Sequence, residues 1–126
     1  MDLFRDLDPS QAEAVTYLGG PLLVLAGAGS GKTRVLAHRI AYLVAAASIA
    51  PHEILAVTFT NKAAGEMAER VRGLVGAISS GIWMGTFHSI CARMLRYEAR
   101  RYGILPDFTI YDEHDQHLLM KQVLGD

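Results

Sequence analysis

Apolar residues form three short runs along the chain, and each run has the length of a buried strand. They occupy residues 22–25, 54–59 and 82–86, and turn-forming residues bound them. A further stretch, residues 108–111, has an extended pattern after the break at Pro106 and Asp107. The pattern therefore predicts three strands and one additional extended segment.

Apolar residues at helical spacing predict five helices between and around these runs. They cover residues 9–18, about four turns after Thr33, a segment that opens at Thr60, residues 87–102 and residues 112–124. The side chains that we expect to face the core are Val35, Leu36, Ile40, Leu43 and Val44 in the second helix, Met67, Val71, Leu74 and Val75 in the third, and Ile90, Cys91, Met94 and Leu95 in the fourth.

Strands that alternate with helices predict right-handed βαβ crossovers and a parallel sheet with helices on both faces, which is an α/β fold. In such sheets, ligands bind beyond the carboxyl ends of the strands. We therefore expect residues 26–33, 58–61 and 86–88 to lie along one rim of the sheet.

The start of the first helix gives Gln11 two interpretations. Asp8 is a good capping residue and Pro9 suits the first helical position, so Gln11 falls where its amide closes a capping box. The same amide is also the type of group that reads the edge of an adenine base. Spacing alone favours the cap.

Composition narrows the class of protein. The chain has 126 residues, about half of them apolar, with 12 basic and 13 acidic residues, so one globular domain without a strong overall charge is expected. The first residues lack the basic and apolar regions of a signal peptide, and no apolar run has the length of a membrane span. A single cysteine, Cys91, cannot form an internal disulfide, which fits a cytoplasmic location.

Residues 26–33 read AGAGSGKT and lie between a predicted strand and a predicted helix. That context is typical of a phosphate-binding P-loop, because glycines let successive N–H groups converge at the positive end of the helix dipole. Lys32 would place a charge against the phosphates, and the Thr33 hydroxyl could hold Mg²⁺. Ala26 stands where the strict motif has Gly. An ordinary strand-to-helix turn is the alternative, but the Gly-Lys-Thr sequence favours nucleotide binding.

The chain resembles the N-terminal part of superfamily 1 helicases of the UvrD/Rep/PcrA type. The similarity lies in LDPSQ at 7–11, LAGAGSGKTRVL at 25–36, ILAVTFTNKAA at 54–64, GTFH at 85–88 and IYDEHDQ at 110–116, and so covers nearly the whole chain. It implies a RecA-like P-loop NTPase fold, a three-layer sandwich with a parallel sheet. Residues 1–126 would be a truncated N-terminal part of that domain, ending near the start of an inserted helical subdomain. Asp8 stands where the family more often has Asn.

The resemblance also implies a function: an ATP-dependent DNA helicase that moves 3′–5′ along single-stranded DNA in repair or replication. Lys32 and Thr33 would be the catalytic residues, with Mg²⁺ held through Thr33, and Gln11 would read adenine rather than act only as a cap. The implied nucleotide-binding residues are Gln11, Ala26, Gly27, Ala28, Gly29, Ser30, Gly31, Lys32, Thr33 and Arg34. The implied single-stranded DNA residues are Thr58, Phe59, Asn61, Thr86, Phe87 and His88. From the residues alone, Phe59 suits the core as well as it suits a DNA surface.

We expect ATP and Mg²⁺ as cofactors, and single-stranded DNA and the remaining helicase domains as partners, with no membrane. The family's Walker B acidic pair, phosphate-stabilising arginines and second RecA-like domain would lie beyond residue 126, so this chain alone is expected to be inactive. Two alternatives remain: a nucleotide-binding module of another P-loop class, and a non-catalytic fragment that binds nucleotide and single-stranded DNA.

Three other groups of residues have more than one interpretation. Residues 112–115 spell Asp-Glu-His-Asp and could be mistaken for a Walker B site, but the preceding stretch is a poor buried strand and Asp112 is a good helix cap. His114, His117, His88 and Cys91 match no structural zinc spacing. The four arginines between residues 93 and 101 either touch nucleic acid or, more commonly for such runs, form a solvated helix face.

Overall fold

The computed structural model describes residues 3–29 and 31–125. Contacts divide the chain into two compact units, Met1–Ile90 and Cys91–Asp126. The elements in chain order are α1 (Pro9–Thr16), α2 (Lys32–Ala45), β1 (Leu55–Thr58), α3 (Asn61–Val75), β2 (Trp83–Thr86), α4 (Phe87–Glu98) and α5 (Glu113–Leu124), with short 3-10 turns at Pro51–Glu53, Gly76–Gly81 and Ala99–Tyr102. None of the helices formed by the described residues is long and apolar enough to cross a membrane.

The centre of the first unit is a βαβ arrangement. Strands β1 and β2 pair in parallel, with Leu55 opposite Trp83 and Thr58 opposite Thr86, and α3 connects them. The mixed helix and strand composition and the parallel pairing confirm the α/β prediction in this coarse form. The core lies between α2, α3 and the strands, and its buried members are Ala37, Ile40, Ile54, Ala56, Met67, Val71 and Ile82.

The prediction of a strand at residues 22–25 is wrong, because residues 21–27 have no regular secondary structure. Leu23 is 82% exposed and Leu25 is 87% exposed. A strand needs a neighbour to accept and donate its backbone hydrogen bonds. Within the described part of the chain, β1 and β2 pair only with each other. The run of apolar residues therefore identifies a hydrophobic segment but not a strand that could pair with it, and residues 22–25 do not form a third strand of the sheet.

Helix α1 is shorter than predicted, ending at Thr16 instead of Leu18. Tyr17 follows with extended backbone, φ −63° and ψ 123°. Its carbonyl accepts a hydrogen bond at 2.7 Å from Arg39 Nη1 on α2. In a continuing helix this carbonyl would need the N–H of residue 21, but Pro21 has none. Arg39 supplies a donor instead, and Leu18 is left exposed.

Helices α2 and α3 follow the predicted pattern more closely. Val35 and Ile40 on α2 are buried, as are Met67 and Val71 on α3. Thr60 caps α3, and its side chain accepts a hydrogen bond from Ala63 N at 3.1 Å. The exception on α2 is Leu36, which is exposed instead of facing the core.

The predicted inward face of α4 is only partly correct. Ile90 is buried, but Cys91, Met94 and Leu95 are exposed. The helix ends at Glu98 and continues as a 3-10 turn to Tyr102, where Gly103 stops it with φ 70°. The apolar pattern of α4 is therefore wider than the face that the described residues bury.

In the second unit, one arginine organises the segment between α4 and α5. Arg96 Nη1 donates to the carbonyl of Pro106 at 2.9 Å and to that of Phe108 at 3.1 Å. Its guanidinium also lies 4.5 Å from the centre of the Phe108 ring, a cation–π contact. Residues 108–111 form no strand. At least one of the four arginines between 93 and 101 therefore has a structural role.

Candidate functional site

The glycine-rich loop leads directly into α2. Gly29 and Gly31 have φ values of 75° and 82°, a left-handed conformation that favours glycine, and Gly31 is the residue before the helix. Predicted nucleotide contacts at Ser30 lie outside the described residues. The first N–H groups of a helix have no partner within it. The loop therefore ends at a group of backbone donors that suits an anion.

The side chain of Lys32 folds back over the loop. Its Nζ atom donates to the carbonyl of Gly27 at 2.7 Å and to that of Ala26 at 3.2 Å. Lys32 remains exposed to solvent. A phosphate oxygen that replaced these neutral carbonyls would form a charge-assisted hydrogen bond with the same ammonium group. The geometry thus holds the lysine above the loop where a phosphate is predicted to bind.

Gln11 both closes a capping box and lies against the loop. Asp8 Oδ1 accepts from Gln11 N at 2.9 Å, and Gln11 Oε1 accepts from Asp8 N at 3.0 Å. The capping interpretation is therefore confirmed. A Cβ atom added at Gly31 would stand only 3.1 Å from Gln11 Nε2, so the amide nitrogen closely approaches the start of α2. The cap does not exclude the adenine interpretation, because it fixes the amide beside the phosphate loop.

A cleft of about 240 Å³ joins these parts. Its walls come from α1, the loop and α2, and they are formed by Asp8, Ser10, Gln11, Ala14, Val24, Leu25, Ala26, Lys32 and Val35. The cleft brings together predicted nucleotide-binding residues from both ends of the proposed site, Gln11 and Lys32. The apolar residues between them offer a surface for a flat ring.

Arg34 lies apart from that cleft. Its Nη1 atom donates to the carbonyl of Asp6 at 3.1 Å, and it lines a separate groove with His38 and Arg70. The sequence pattern groups Arg34 with the loop because it follows Thr33 directly. In the structure it ties the segment before α1 to α2.

The ends of β1 and β2 form a second feature, an aromatic rim. Because Thr58 and Thr86 are opposite one another in the register, the residues that follow them also meet, and the rings of Phe59 and Phe87 are 5.1 Å apart at a 42° tilt. Phe59 is 89% exposed, so the interpretation of this residue as core is wrong. His88 and Asn61 are exposed as well.

The two threonines of the rim have structural partners. Thr86 is buried, and its Oγ1 accepts from Ser89 N at 3.1 Å, which caps the start of α4. Thr58 Oγ1 donates to the carbonyl of Thr60 at 3.2 Å. Of the six predicted DNA residues, these two hold the backbone that presents the others. The structure thus brings two of the three expected rim segments together by strand pairing, whereas residues 22–25 supply no strand that would bring the loop to the sheet.

The acidic residues of the Asp-Glu-His-Asp sequence act as a helix cap. Asp112 Oδ1 accepts from Asp115 N at 2.8 Å, and Asp115 Oδ2 accepts from Asp112 N at 3.2 Å. This reciprocal pair starts α5, which confirms the capping interpretation. Among the described residues, no group of three or more His, Cys, Asp or Glu side chains could hold a metal ion.

Arg39 was missed at the sequence level although it belongs to the same region. Its Nη1 atom donates to carbonyls of Ala14 and Tyr17 at the end of α1. The available signal was helical spacing, since Arg39 lies seven residues after Lys32 and therefore on the same face of α2.

Comparison with known proteins gives consistent matches. Residues 7–126 match the family model described as the UvrD/REP helicase N-terminal domain. The chain is 56% identical over 122 residues to the ATP-dependent DNA helicase PcrA of Staphylococcus aureus strain Mu50, and equally to that of Staphylococcus epidermidis strain ATCC 12228. These alignments cover 97% of this chain but only 17% of each relative.

Proposed function

The chain belongs to the UvrD/REP helicase N-terminal domain family, and from that premise we propose that it is the ATP-binding part of a DNA helicase. Residues 1–126 would then form the N-terminal part of a RecA-like P-loop domain. The observation that carries the proposal is the convergence of Gln11, Lys32 and the start of α2 around one cleft.

ATP is the ligand that we propose for this cleft, because its two ends differ in chemistry. The triphosphate would lie on the loop, with the N–H groups at the start of α2 and the Lys32 ammonium as donors. Adenine would lie toward α1, where the Gln11 amide can donate to or accept from the base edge. The proposed nucleotide set keeps Ala26, Gly27, Ala28, Gly29, Ser30, Gly31 and Thr33, and includes Arg34 from its neighbouring groove.

Mg²⁺ would be held through the Thr33 hydroxyl, in the first turn of α2 beside Lys32. The fit rests on donor chemistry, because Mg²⁺ commonly combines one or two protein oxygens with waters and substrate phosphates. When bound, the ion would neutralise part of the phosphate charge. Thr33 is half-buried.

Single-stranded DNA is the proposed partner of the aromatic rim. Phe59 and Phe87 offer exposed ring surface for base stacking, and Asn61 and His88 add hydrogen-bonding groups beside it. Phosphate contacts from the start of α3 and α4 would give affinity without sequence preference. For the whole protein we propose ATP-driven movement along single-stranded DNA in the 3′–5′ direction, together with helicase domains beyond this chain.

Calorimetric titration with ADP tests the nucleotide site. Lys32→Ala should weaken ADP binding about 10- to 100-fold, because a charge-assisted hydrogen bond contributes about 1.5–3 kcal/mol. Lys121→Ala, which removes an exposed lysine from α5, is the matched control and should bind as the wild type does. Unchanged ADP affinity in Lys32→Ala would contradict the site assignment. Absence of ADP binding by the wild-type chain would contradict the nucleotide-binding function itself.

A further inference from the structure

Arg39 fastens the end of α1 to α2. Its Nη1 atom donates to the carbonyl of Tyr17 at 2.7 Å and to that of Ala14 at 2.8 Å, with that of Val15 at 3.4 Å. Carbonyls at the C-terminal end of a helix have no partner within that helix. A guanidinium at this position also opposes the negative end of the helix dipole.

The helix that Arg39 holds is the one that carries Gln11. On α1, Gln11 and the fully buried Val15 are four residues apart and so share the face directed at α2. An eight-residue helix such as α1 is too short to be stable without tertiary contacts. Burial of Val15 stabilises the contact but is not directional. The hydrogen bonds from Arg39 are directional, and so they fix the rotation and the axial position of α1 relative to α2.

Arg39 does not line the cleft between Gln11 and Lys32, although it borders an adjoining cleft of about 300 Å³ that Lys32 also lines. It follows Lys32 by seven residues on the same face of α2, which corresponds to about 10 Å along the helix axis. Its hydrogen bonds to Ala14 and Tyr17 hold its guanidinium at the end of α1 opposite to Gln11. Because its Nη1 atom is engaged by the carbonyls of Ala14 and Tyr17, its influence on adenine would pass through the position of α1.

We propose that Arg39 is a positioning residue for base recognition: it holds α1 so that the Gln11 amide stays beside Gly31 and in line with the phosphate loop. The segment before α1 is tied to α2 independently, by Arg34 Nη1 to Asp6 O and by a 2.7 Å contact between His38 Nδ1 and Leu3 O. Arg39 secures the other end of the helix. This inference rests on the proposed function, because it concerns how the same site distinguishes adenine.

The test measures the contribution of the base to binding separately from that of the phosphates. Calorimetry gives the dissociation constants of ADP, which has base and phosphates, and of pyrophosphate, which has phosphates alone. Arg39→Met keeps most of the side-chain volume and removes the donors. It should weaken ADP about five- to tenfold, the effect of losing roughly one net hydrogen bond, and change pyrophosphate binding by less than about twofold. Gln11→Ala should have the same signature, and the double variant should be no worse than either single one.

Controls make the outcome decisive. Arg100→Met, at an exposed arginine of the second unit, should leave both dissociation constants unchanged. If Arg39→Met leaves the ratio of the ADP and pyrophosphate dissociation constants unchanged, whether both ligands weaken equally or neither does, the proposal is overturned. If Arg39→Met does not fold by circular dichroism, Arg39→Lys, whose ammonium lacks the fixed geometry of the guanidinium, must still lower the ADP-to-pyrophosphate affinity ratio, and an unchanged ratio there overturns it. A wild-type chain that binds neither ligand would refute the proposed function, and this inference with it.

Discussion

Gly31 is constrained by two independent features, its backbone and its neighbour. Its φ of 82° lies where L-residues are strained, and a Cβ atom there would stand 3.1 Å from Gln11 Nε2. A left-handed conformation costs a residue other than glycine about 1–2 kcal/mol. We expect Gly31→Ala to lower the free energy of unfolding by about that amount, as measured by urea denaturation.

Gly65 provides a matched control with the opposite sign. It lies inside α3, and a Cβ atom there would meet nothing within 4 Å. Gly65→Ala should therefore raise the free energy of unfolding by about 1 kcal/mol, because alanine favours a helix interior. Equal effects of the two substitutions would contradict the strain attributed to Gly31.

Phe59 is an apolar residue that lies almost entirely in solvent, so packing in the core does not account for it. Its ring is 89% exposed and contacts Phe87 at the rim. Stacking of a base on an aromatic side chain contributes about 1–3 kcal/mol. We expect Phe59→Ala to weaken binding of a single-stranded oligonucleotide about 5- to 100-fold with little change in stability, measured by fluorescence anisotropy and thermal unfolding.

Tyr97 is the control for Phe59, since it is an equally exposed aromatic residue in the second unit. Tyr97→Ala should not change oligonucleotide affinity. If both variants bind DNA as the wild type does, the aromatic rim is not the DNA surface. A large loss of stability in Phe59→Ala would instead indicate a packing role.

At the residue scale, the sequence predicted the local backbone roles of residues better than it predicted contacts with residues elsewhere in the chain. The loop glycines, the cap at Asp8 and the cap at Asp112 follow from local chemistry, and the structure has all of them. Arg39 could not be assigned in this way, because its partners lie 22 to 25 residues earlier in the chain. Phe59 was ambiguous because hydrophobicity does not distinguish a core ring from one at an exposed strand end.

At the scale of whole elements, caps determine where helices begin. The Asp112 side chain and the Asp115 N–H form one half of the capping box of α5. Loss of such a cap costs about 1 kcal/mol. We expect Asp112→Ala to reduce the helical circular dichroism signal and the free energy of unfolding. Asp112→Ser, which keeps an acceptor, should leave the signal nearly unchanged and lower the free energy of unfolding by only a few tenths of a kcal/mol. Identical behaviour of Ala and Ser at this position would contradict the capping role.

Among the elements, the consecutive strand–helix–strand unit agrees best with the prediction, although its strands pair residues as far apart in sequence as Leu55 and Trp83. In β1, α3 and β2, the order of the elements, the start of α3 after Thr60 and the burial of Met67 and Val71 agree with the prediction, whereas Leu55 on β1 is exposed. Residues 22–25 have a comparable apolar pattern but no strand neighbour among the described residues. Periodicity reports which side chains avoid water, whereas strand formation also requires another strand at hydrogen-bonding distance.

At the scale of the whole molecule, the described part of the proposed site offers donors for phosphate, but neither of the described strands ends at an acidic group. In P-loop enzymes, an acidic residue at a strand end usually helps to hold Mg²⁺. In this chain β1 is followed by Phe59, Thr60 and Asn61, and β2 by Phe87, His88 and Ser89, so neither strand ends at a carboxylate. The acidic pair Asp112 and Glu113 lies at the start of a helix.

We therefore expect the purified chain to bind nucleotide without appreciable turnover. Phosphoryl transfer depends on positioning and on charge stabilisation, and an arginine supplied to the transferred phosphate alone accounts for about 10³–10⁵ in rate where it has been measured. A phosphate-release assay with and without single-stranded DNA measures this, alongside ADP binding to show that the site is intact. Glu113→Gln should change neither binding nor the background rate, because the Asp112 to Asp115 cap does not use Glu113. Strong DNA-stimulated phosphate release that Glu113→Gln abolishes would mean that Asp112 and Glu113 serve a magnesium site and not only a helix cap.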